Sequence, residues 1–276
     1  MRIKFWGTRG SIPTPGPSTV RYGGNTACVE VRDQSGSLLV LDAGTGLREL
    51  GAALMNGGGA RPFSVDLLLS HLHWDHIQGI PFFRPAYDPK SSLRIRGPKQ
   101  SRTMRELLGL GMDEPFFPVD LDDLPVQLTV AELDDGSDEQ IGRFRVKAAR
   151  LYHPAPALAY RVEADGKSIV YATDTEDAFS GRANPVVALA LNADTLIHDA
   201  QFLDSDYKPT WGHSTISSAI DTAAKANVRR LVLYHHDPDR SDDALDEIGI
   251  QAQLEMNRRS SGVEVIVARE GLELEV

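Results

Sequence analysis

A dense group of potential metal ligands lies in six consecutive positions of this 276-residue chain, with the sequence HLHWDH beginning at His71. It follows the apolar run Val65–Leu69, which predicts a buried strand. Divalent transition metals need deprotonated donors that converge in space. Alternate side chains of an extended segment share a face, so His71 and His73 can reach one ion. Asp75 and His76 come from the turn that follows and can serve a second ion.

Four further donors, His153, Asp174, His213 and His235, also lie just beyond apolar runs. Taken singly, each has a second interpretation, as a histidine with a hydrogen-bond partner or as an aspartate in a turn. Their shared position after predicted strands changes this, because all of them can open onto one edge of the scaffold. We therefore predict two metal ions held by loops at one end of a β-sheet structure.

The elements that must position these donors are mostly strands. The predicted strands are Ile3–Trp6, Ala27–Arg32, Leu38–Leu41, Val65–Leu69, Leu93–Ile95, Gln127–Val130, Phe144–Ala148, Ala157–Val162, Ser168–Ala172, Thr195–Ile197, Leu231–Tyr234, Val263–Val267 and Leu272–Val276. The predicted helices are Leu47–Met55 (ending at Gly57-Gly58-Gly59), Ser101–Leu108, a helix capped by Ser214 that runs to about Asn227, and Asp242–Met256.

Irregular segments separate these elements. Gly109–Pro125 is predicted as a loop, and the acidic stretches Asp120–Asp123 and Asp134–Glu139 as solvated loops. No linker divides the chain. We expect one domain over residues 1–276, built from two packed β-sheets with helices outside.

Composition restricts the partners and the compartment. The net charge is −10, which disfavours a broad basic face for duplex nucleic acid, although bound metal ions can still attract a small anion. The single cysteine, Cys28, cannot form an intrachain disulfide, and it lies in a predicted strand. We find no signal-peptide core and no apolar run of the roughly 20 residues that span a bilayer. We expect a cytoplasmic protein with no membrane contact; a homodimer is one option for its oligomeric state.

The HLHWDH segment, Asp174 and His235 together resemble the binuclear metallo-β-lactamase fold. Three further segments resemble its phosphodiesterase branch, which includes tRNA 3′-processing endonucleases and bacterial cyclic phosphodiesterases: Phe5–Ser11, Gly23–Thr26 and Gly212–Thr215. Asp42–Gly46 resembles the Asp-x-Gly turn of the fold. The resemblance covers nearly the whole chain and implies an α+β, four-layer αββα sandwich.

The resemblance also implies a ligand set, in which all seven family positions are present. One ion is held by His71, His73 and His153, the second by Asp75, His76 and His235, and Asp174 bridges both. Zinc fits these donors best, and manganese or iron can also occupy a mixed nitrogen and oxygen site.

The expected activity is hydrolysis of a small or cyclic phosphodiester, such as a cyclic nucleotide or cyclic phosphate. The two ions generate a hydroxide that attacks phosphorus in line, with Asp75 among the catalytic residues. His213 is the candidate general acid for the leaving oxygen, and Asp199 orients it. The second interpretation of His213 is a cap for the following helix.

Several residues near the motifs keep two interpretations. His198 either supports a ligand from the end of its strand or acts in catalysis, and the favoured interpretation of His236 is support of the adjacent ligand His235. Arg9 either pairs with a phosphate or lies exposed in a turn, and Thr8, Asn25 and Trp74 are candidates for the pocket lining. Phe116 and Phe117 either stack a nucleobase or anchor a long loop.

Other functions fit the same fold. An RNA 3′-processing endonuclease usually carries a long arm between the third histidine and the bridging aspartate, but His153 and Asp174 are only 21 positions apart. A thioester or lactone hydrolase would not need His213. The oxygen-reducing diiron branch usually has a glutamate in place of His73. A metal-stabilised binding or regulatory protein without turnover belongs to a different class, which the complete ligand set and His213 disfavour.

Overall fold

The computed structural model describes residues 1–57, 62–176, 183–259 and 262–276. Its strands form two seven-stranded sheets. The first sheet contains β1 (Arg2–Gly7), β2 (Cys28–Arg32), β3 (Leu38–Leu41), β4 (Ser64–Leu68), β5 (Ser92–Pro98), β6 (Gln127–Leu133) and β14 (Glu273–Glu275). The second contains β7 (Asp138–Ile141), β8 (Phe144–Arg150), β9 (Leu158–Ala164), β10 (Lys167–Ala172), β11 (Thr195–Asp199), β12 (Arg230–Tyr234) and β13 (Glu264–Val267).

The two sheets have similar topologies. The order is β14-β1-β2-β3-β4-β5-β6 in the first and β13-β12-β11-β10-β9-β8-β7 in the second. Strands β3 to β6 are parallel, as are β10 to β13, and the remaining pairs are antiparallel. Two successive antiparallel pairings give β8 the same direction as β10. The carboxyl ends of β8, β10, β11 and β12 therefore lie at one edge of the second sheet.

Six α-helices are described. They are α1 (Gly46–Asn56), α2 (Trp74–Ile77), α3 (Met104–Leu110), α4 (Pro185–Leu189), α5 (Ile216–Ala226) and α6 (Asp242–Arg258). In the described part of the chain, no helix is long and apolar enough to cross a membrane.

Three apolar cores show how the layers stack. Inward-facing residues of both sheets, such as Phe5, Leu41, Tyr171 and Val232, form the central core. The outer face of the first sheet packs against α1 and α3. The outer face of the second sheet packs against α4, α5 and α6. This arrangement confirms the predicted αββα sandwich of the α+β class, because each sheet packs one face against the other sheet and the opposite face against helices.

Several boundaries differ from the predicted ones, for local reasons. The acidic stretch Asp134–Glu139 was expected to be a loop, but strand β7 begins at Asp138, where an edge position leaves its charges solvated and paired with Arg145. The helix predicted from Ser101 begins at Met104, because Thr103 and Glu106 form a capping box.

Two other helices were predicted incompletely. Thr215 rather than Ser214 caps α5, accepting a hydrogen bond from the Ser218 amide. Helix α4 was not predicted, although Asn184 caps it and Pro185 opens it. The predicted end of α1 was Gly57-Gly58-Gly59. Gly57 is the C-cap residue of α1, and Gly58 and Gly59 lie outside the described residues.

Candidate metal centre

The predicted ligands emerge where strands end. His71 lies three residues beyond β4, His73 precedes helix α2, and Asp75 and His76 lie on that helix. The other three follow strands of the second sheet: His153 comes after β8, Asp174 after β10 and His235 directly after β12. Because these strand ends share one edge of the sandwich, side chains far apart in sequence meet there, as predicted.

One group of donors contains His71, His73, His153 and Asp174, whose potential ligand atoms all lie within 4.8 Å of one another. Nε2 of His153 is 3.3 Å from Nδ1 of His73. Nε2 of His71 is 3.7 Å from the Asp174 carboxylate and, though buried, has no hydrogen-bond partner among the described residues. A buried imidazole nitrogen facing other donors without a partner fits a metal ligand.

A second group contains Asp75, His76 and His235, again with ligand atoms within 4.8 Å. Nε2 of His76 lies 3.2 Å from Nε2 of His235 and 3.1 Å from Oδ2 of Asp75. Oδ2 of Asp174 is 3.2 Å from each of these two imidazole nitrogens. Asp174 thus lies between the two groups, at the position expected of a bridging ligand.

Hydrogen bonds fix the tautomers of His76 and His71. Asp42 accepts from Nδ1 of His76 at 2.7 Å and from the Ser70 hydroxyl at 2.8 Å. Since Ser70 donates to Asp42, its oxygen is left to accept from Nδ1 of His71, 3.0 Å away. Both imidazoles therefore keep their Nε2 lone pairs for the centre of the site.

The same arrangement recurs at two other histidines. Nδ1 of His153 is 3.2 Å from the carbonyl oxygen of Gly212, and Nδ1 of His235 is 3.1 Å from Oε1 of Gln201. Each acceptor oxygen requires a proton on Nδ1, so in the neutral imidazole Nε2 carries the lone pair and faces the other ligands.

The buried carboxylates of the site need compensating positive charge. Burial alone lowers the pKa of His76, but the carboxylates of Asp75, Asp174 and Asp42 outweigh it and raise the pKa well above its usual value. Burial tends to raise the pKa of Asp174, yet the neighbouring histidines, above all His235, hold it well below its ordinary range. A cation takes the place of a proton among these groups, and buried carboxylates are stable only when so compensated.

The donor set therefore fits divalent metal ions: neutral imidazoles with fixed tautomers, carboxylates, and an unpartnered buried nitrogen. The assignment of each residue to an ion remains a prediction.

His213 lies beside this centre. Its Nδ1 is 2.9 Å from Oδ2 of Asp199, the last residue of β11, and both side chains are buried. Its ring stacks on that of His235 with centroids 5.2 Å apart. Burial lowers the pKa of His213, but the charge of Asp199 and the hydrogen bond to it prevail and raise the pKa to about 9. Asp199 thus orients His213, as the predicted general acid requires, and the acid role itself stays a prediction. Potential ligand atoms of Asp174, Asp199, His213 and His235 also lie within 4.8 Å of one another.

The loop that carries His213 is held by Glu176. This buried carboxylate accepts from the amides of Thr210 and Gly212, at 2.8 and 3.1 Å, and from the hydroxyl of Tyr207 at 2.7 Å. Gly212 has a φ of 84° and lies so close to His153 that a Cβ would come within 2.2 Å of its Nδ1. A glycine is required there, and it brings the His213 loop against the ligand His153.

The structure places other predicted residues away from the centre. Arg9 is buried, and its Nε and Nη1 groups donate to the carbonyl oxygens of Gly23, Asp237 and Arg240, so the expectation of an exposed turn arginine was wrong. Thr8 is buried, and Asn25 bonds Glu270.

The two remaining histidines lie outside the metal-binding groups. His198 is buried in β11, with Nδ1 2.7 Å from the carbonyl oxygen of Asp199. Nε2 of His236 lies 2.8 Å from the carbonyl oxygen of Ala268.

Sequence reasoning missed Gln201, Glu176 and the amide of Ser11, which donates to Asp75 at 2.8 Å. Gln201 and Glu176 each follow an assigned aspartate by two residues, which is the only sequence signal for them. Trp74 is 72% exposed and lines a cavity beside His73 together with Phe116 and Phe117.

Comparison with known proteins agrees with this geometry. A model of the beta-lactamase superfamily domain matches residues 38–236, and the chain belongs to that superfamily. Ribonuclease Z of Haloferax volcanii is 28% identical over 324 aligned positions, which cover 100% of this chain and 95% of the relative.

Two solved structures share the fold. The metallo-beta-lactamase fold protein YhfI from Bacillus subtilis superposes with a TM-score of 0.73 at 20% identity, covering 100% of this chain and 99% of the other. The short form of human tRNase Z gives 0.69 at 23% identity, with 100% and 99% coverage. The protein is a metal-dependent hydrolase of this superfamily.

Proposed function

We propose that this protein is a binuclear, zinc-dependent phosphodiesterase that acts on a small or cyclic phosphodiester. The observation that carries the proposal is the pairing of the seven-residue donor set with a separate, buried His213–Asp199 pair. Two bound divalent cations supply an activated water and neutralise charge on the phosphoryl oxygens. A diester leaves as an alkoxide, which needs a proton, and His213 is placed to hold one.

The chain's own residues divide the work. Asp42, Ser70, Gln201 and the Gly212 carbonyl orient the imidazoles, so the donors need little rearrangement. Asp199 keeps the proton of His213 on Nδ1 in the neutral form and stabilises the charged form. Glu176 fixes the loop that carries His213.

RNA 3′-end processing is the second candidate, and the names of the relatives, ribonuclease Z and tRNase Z, favour it over a small diester. Two observations favour the small substrate. The span from His153 to Asp174 contains the hairpin of β9 and β10, which leaves no room there for an RNA-binding arm. The aligned region with the Haloferax enzyme is 324 positions long against 276 residues here, so that relative has insertions this chain lacks.

The test measures kcat/KM of the metal-replete protein for a 3′,5′-cyclic nucleotide, the matching monoester and a precursor tRNA. We expect the diester to be hydrolysed fastest, because two cations in a recess attract one compact phosphate while a net charge of −10 repels a polyanion. Faster cleavage of the tRNA would assign the RNA function. Hydrolysis of thioesters or lactones without diester cleavage would assign another activity of the fold.

Elemental analysis of the same preparation checks the metals. We expect two zinc ions per chain and loss of most metal in Asp174→Ala, because Asp174 lies between both donor groups. Asp194→Ala is the matched control, since this carboxylate pairs with Lys167 and Arg229 rather than with histidines. One ion or none in intact wild-type protein contradicts the binuclear site.

A further inference from the structure

A cavity of about 600 Å³ opens beside the metal centre. His73 lines it and is also a member of the first donor group, so the cavity borders the site. The preceding and following residues, Leu72 and Trp74, line it too. A group attached to a phosphate at the metal centre therefore has direct access to this cavity.

The walls of the cavity are apolar and rich in rings. Trp74, Phe82, Phe116 and Phe117 line it, and Met112 adds a thioether. Phe82 and Phe117 meet edge to face with centroids 5.6 Å apart, which makes a preformed aromatic corner. Aromatic and thioether walls favour contacts with a planar ring.

These apolar side chains are exposed, although aromatic and aliphatic residues usually avoid water. Trp74 and Phe116 are each 72% exposed, Phe82 55% and Leu110 48%. A contiguous apolar surface of this kind marks a binding site more often than a free surface. Among the described residues that line it there is no lysine, arginine, aspartate or glutamate, which favours an uncharged occupant.

Two amides give the cavity a limited polar capacity. The side chains of Gln78 and Gln100 line it, and within the described part of the chain each donates one long hydrogen bond of 3.4 Å, to the Thr26 hydroxyl and to the Pro156 carbonyl oxygen respectively. Their polar atoms can pair with the edge of a heterocycle without introducing charge.

We propose that this cavity is a specificity pocket for an uncharged aromatic ring carried by the phosphodiester, either a nucleobase or an aryl group. The proposal rests on the proposed function, because it assigns the phosphate to the neighbouring metal centre. This proposal explains why the wall consists of aromatic rings and why its described residues include no cation. A second phosphate of an RNA chain would need cationic side chains there instead.

The experiment measures binding rather than turnover. Calorimetric titration of the zinc-loaded protein compares phenylphosphonate with methylphosphonate, two probes that share one headgroup and differ only in the ring. We expect phenylphosphonate to bind about tenfold or more tightly, the gain expected from burying one ring. Adenosine 5′-phosphate is the third probe. If it also binds more tightly than methylphosphonate, the ring that occupies the pocket is a nucleobase. If only phenylphosphonate binds more tightly, the ring is an aryl group.

Pocket variants locate the effect. Leu110→Ala and Phe116→Ala should remove most of the gain for the ring while the affinity for methylphosphonate stays within twofold. Leu254→Ala on α6 is the matched control, because Leu254 is exposed to a similar degree, 46% against 48% for Leu110, but lies outside this cavity. Equal affinities for phenylphosphonate and methylphosphonate in the wild type, or an undiminished gain in both pocket variants, would overturn the proposal. Selective binding of the ring without diester hydrolysis would refute the proposed function and leave the pocket intact.

Discussion

Asp199 accepts a hydrogen bond from Nδ1 of His213 at 2.9 Å, and this carboxylate also accepts from the amides of Gln201 and Ser214. Because Asp199 is wholly buried and its hydrogen bonds hold it at the end of β11, it fixes the direction of the His213 ring. Nδ1 of the imidazole is therefore held by Asp199, and among the described residues Nε2 remains to contact a substrate.

His213→Ala should keep both metals and lose turnover, since His213 stands outside the predicted ligand set. General acid assistance is worth about 10² to 10⁴ in rate. The loss in kcat should shrink for diesters with good leaving groups, which need less protonation. Metal content and a leaving-group series measure both effects. A loss of metal would show that His213 is a ligand, and an equal rate loss for all leaving groups would exclude the acid role.

The Asp199–His213 pair also predicts a pH dependence of stability in the metal-free protein. The folded pKa of His213, about 9, lies above the unfolded value of about 6.5. The pair's contribution is then fully present below pH 6.5 and is lost as the pH rises through 9. Asp199→Asn in chelator-treated protein should lower the free energy of unfolding most below pH 6.5. Denaturant unfolding across this range checks it, and a pH-independent difference would contradict it.

Glu176→Gln tests how the His213 loop is held. The glutamine keeps the shape of the side chain but removes the negative charge that three donors share. One of the two acceptor oxygens also becomes an NH2 group, which cannot accept the hydrogen bonds made there. We expect kcat for poor leaving groups to fall about tenfold or more, since hydrogen bonds to a charged group contribute about 1.5–3 kcal/mol.

Two comparisons make this test specific. Tyr207→Phe removes one of the three donors and leaves both backbone amides bound, so it should lose less activity. Metal content should be unchanged in both variants. A fall that is equal for good and poor leaving groups would show a general loss of structure rather than misplacement of His213.

The sequence allowed much of the fold and site to be predicted because the strongest signals are local. The HLHWDH segment contains four donors within six residues, and each remaining donor follows a predicted strand within a few residues. The strand pattern gave the two sheets, since each strand is an apolar or alternating run. Such signals depend on neighbours in the chain, which a sequence displays.

What escaped prediction depends on contacts between distant segments. From the sequence, Arg9 is either an exposed turn arginine or a phosphate partner, but it is buried and its Nη1 donates to the carbonyl oxygens of Asp237 and Arg240, more than 220 positions away. Gln201 became important only because His235 lies opposite it. Strand β7 has a charged sequence that predicts a loop, and it forms because β8 offers a free edge.

Asp42 gives the last prediction, because it joins the inner core to the ligands. It accepts hydrogen bonds from the Ser70 amide and hydroxyl, from Nδ1 of His76 and from the Tyr171 hydroxyl, at 2.6 to 2.8 Å. Asp42→Asn replaces one acceptor oxygen by a donor, so at least one of these groups loses its partner. We expect the affinity for the ion near His76 to fall about 10- to 100-fold, as for other residues that orient a ligating histidine.

Unfolding should become easier as well, by about 1–3 kcal/mol, because a buried polar group is left unpaired. Asp66→Asn is the matched control: Asp66 is also buried, but it pairs with Arg94 and Arg96 rather than with a histidine, on the face of the first sheet that lies opposite α1 and α3. This variant should lose stability and keep its metal affinity. Competition with a chelator measures affinity, and denaturant unfolding measures stability. If both variants bind metal as tightly as the wild type, Asp42 supports the fold alone and the orienting role assigned to it is wrong.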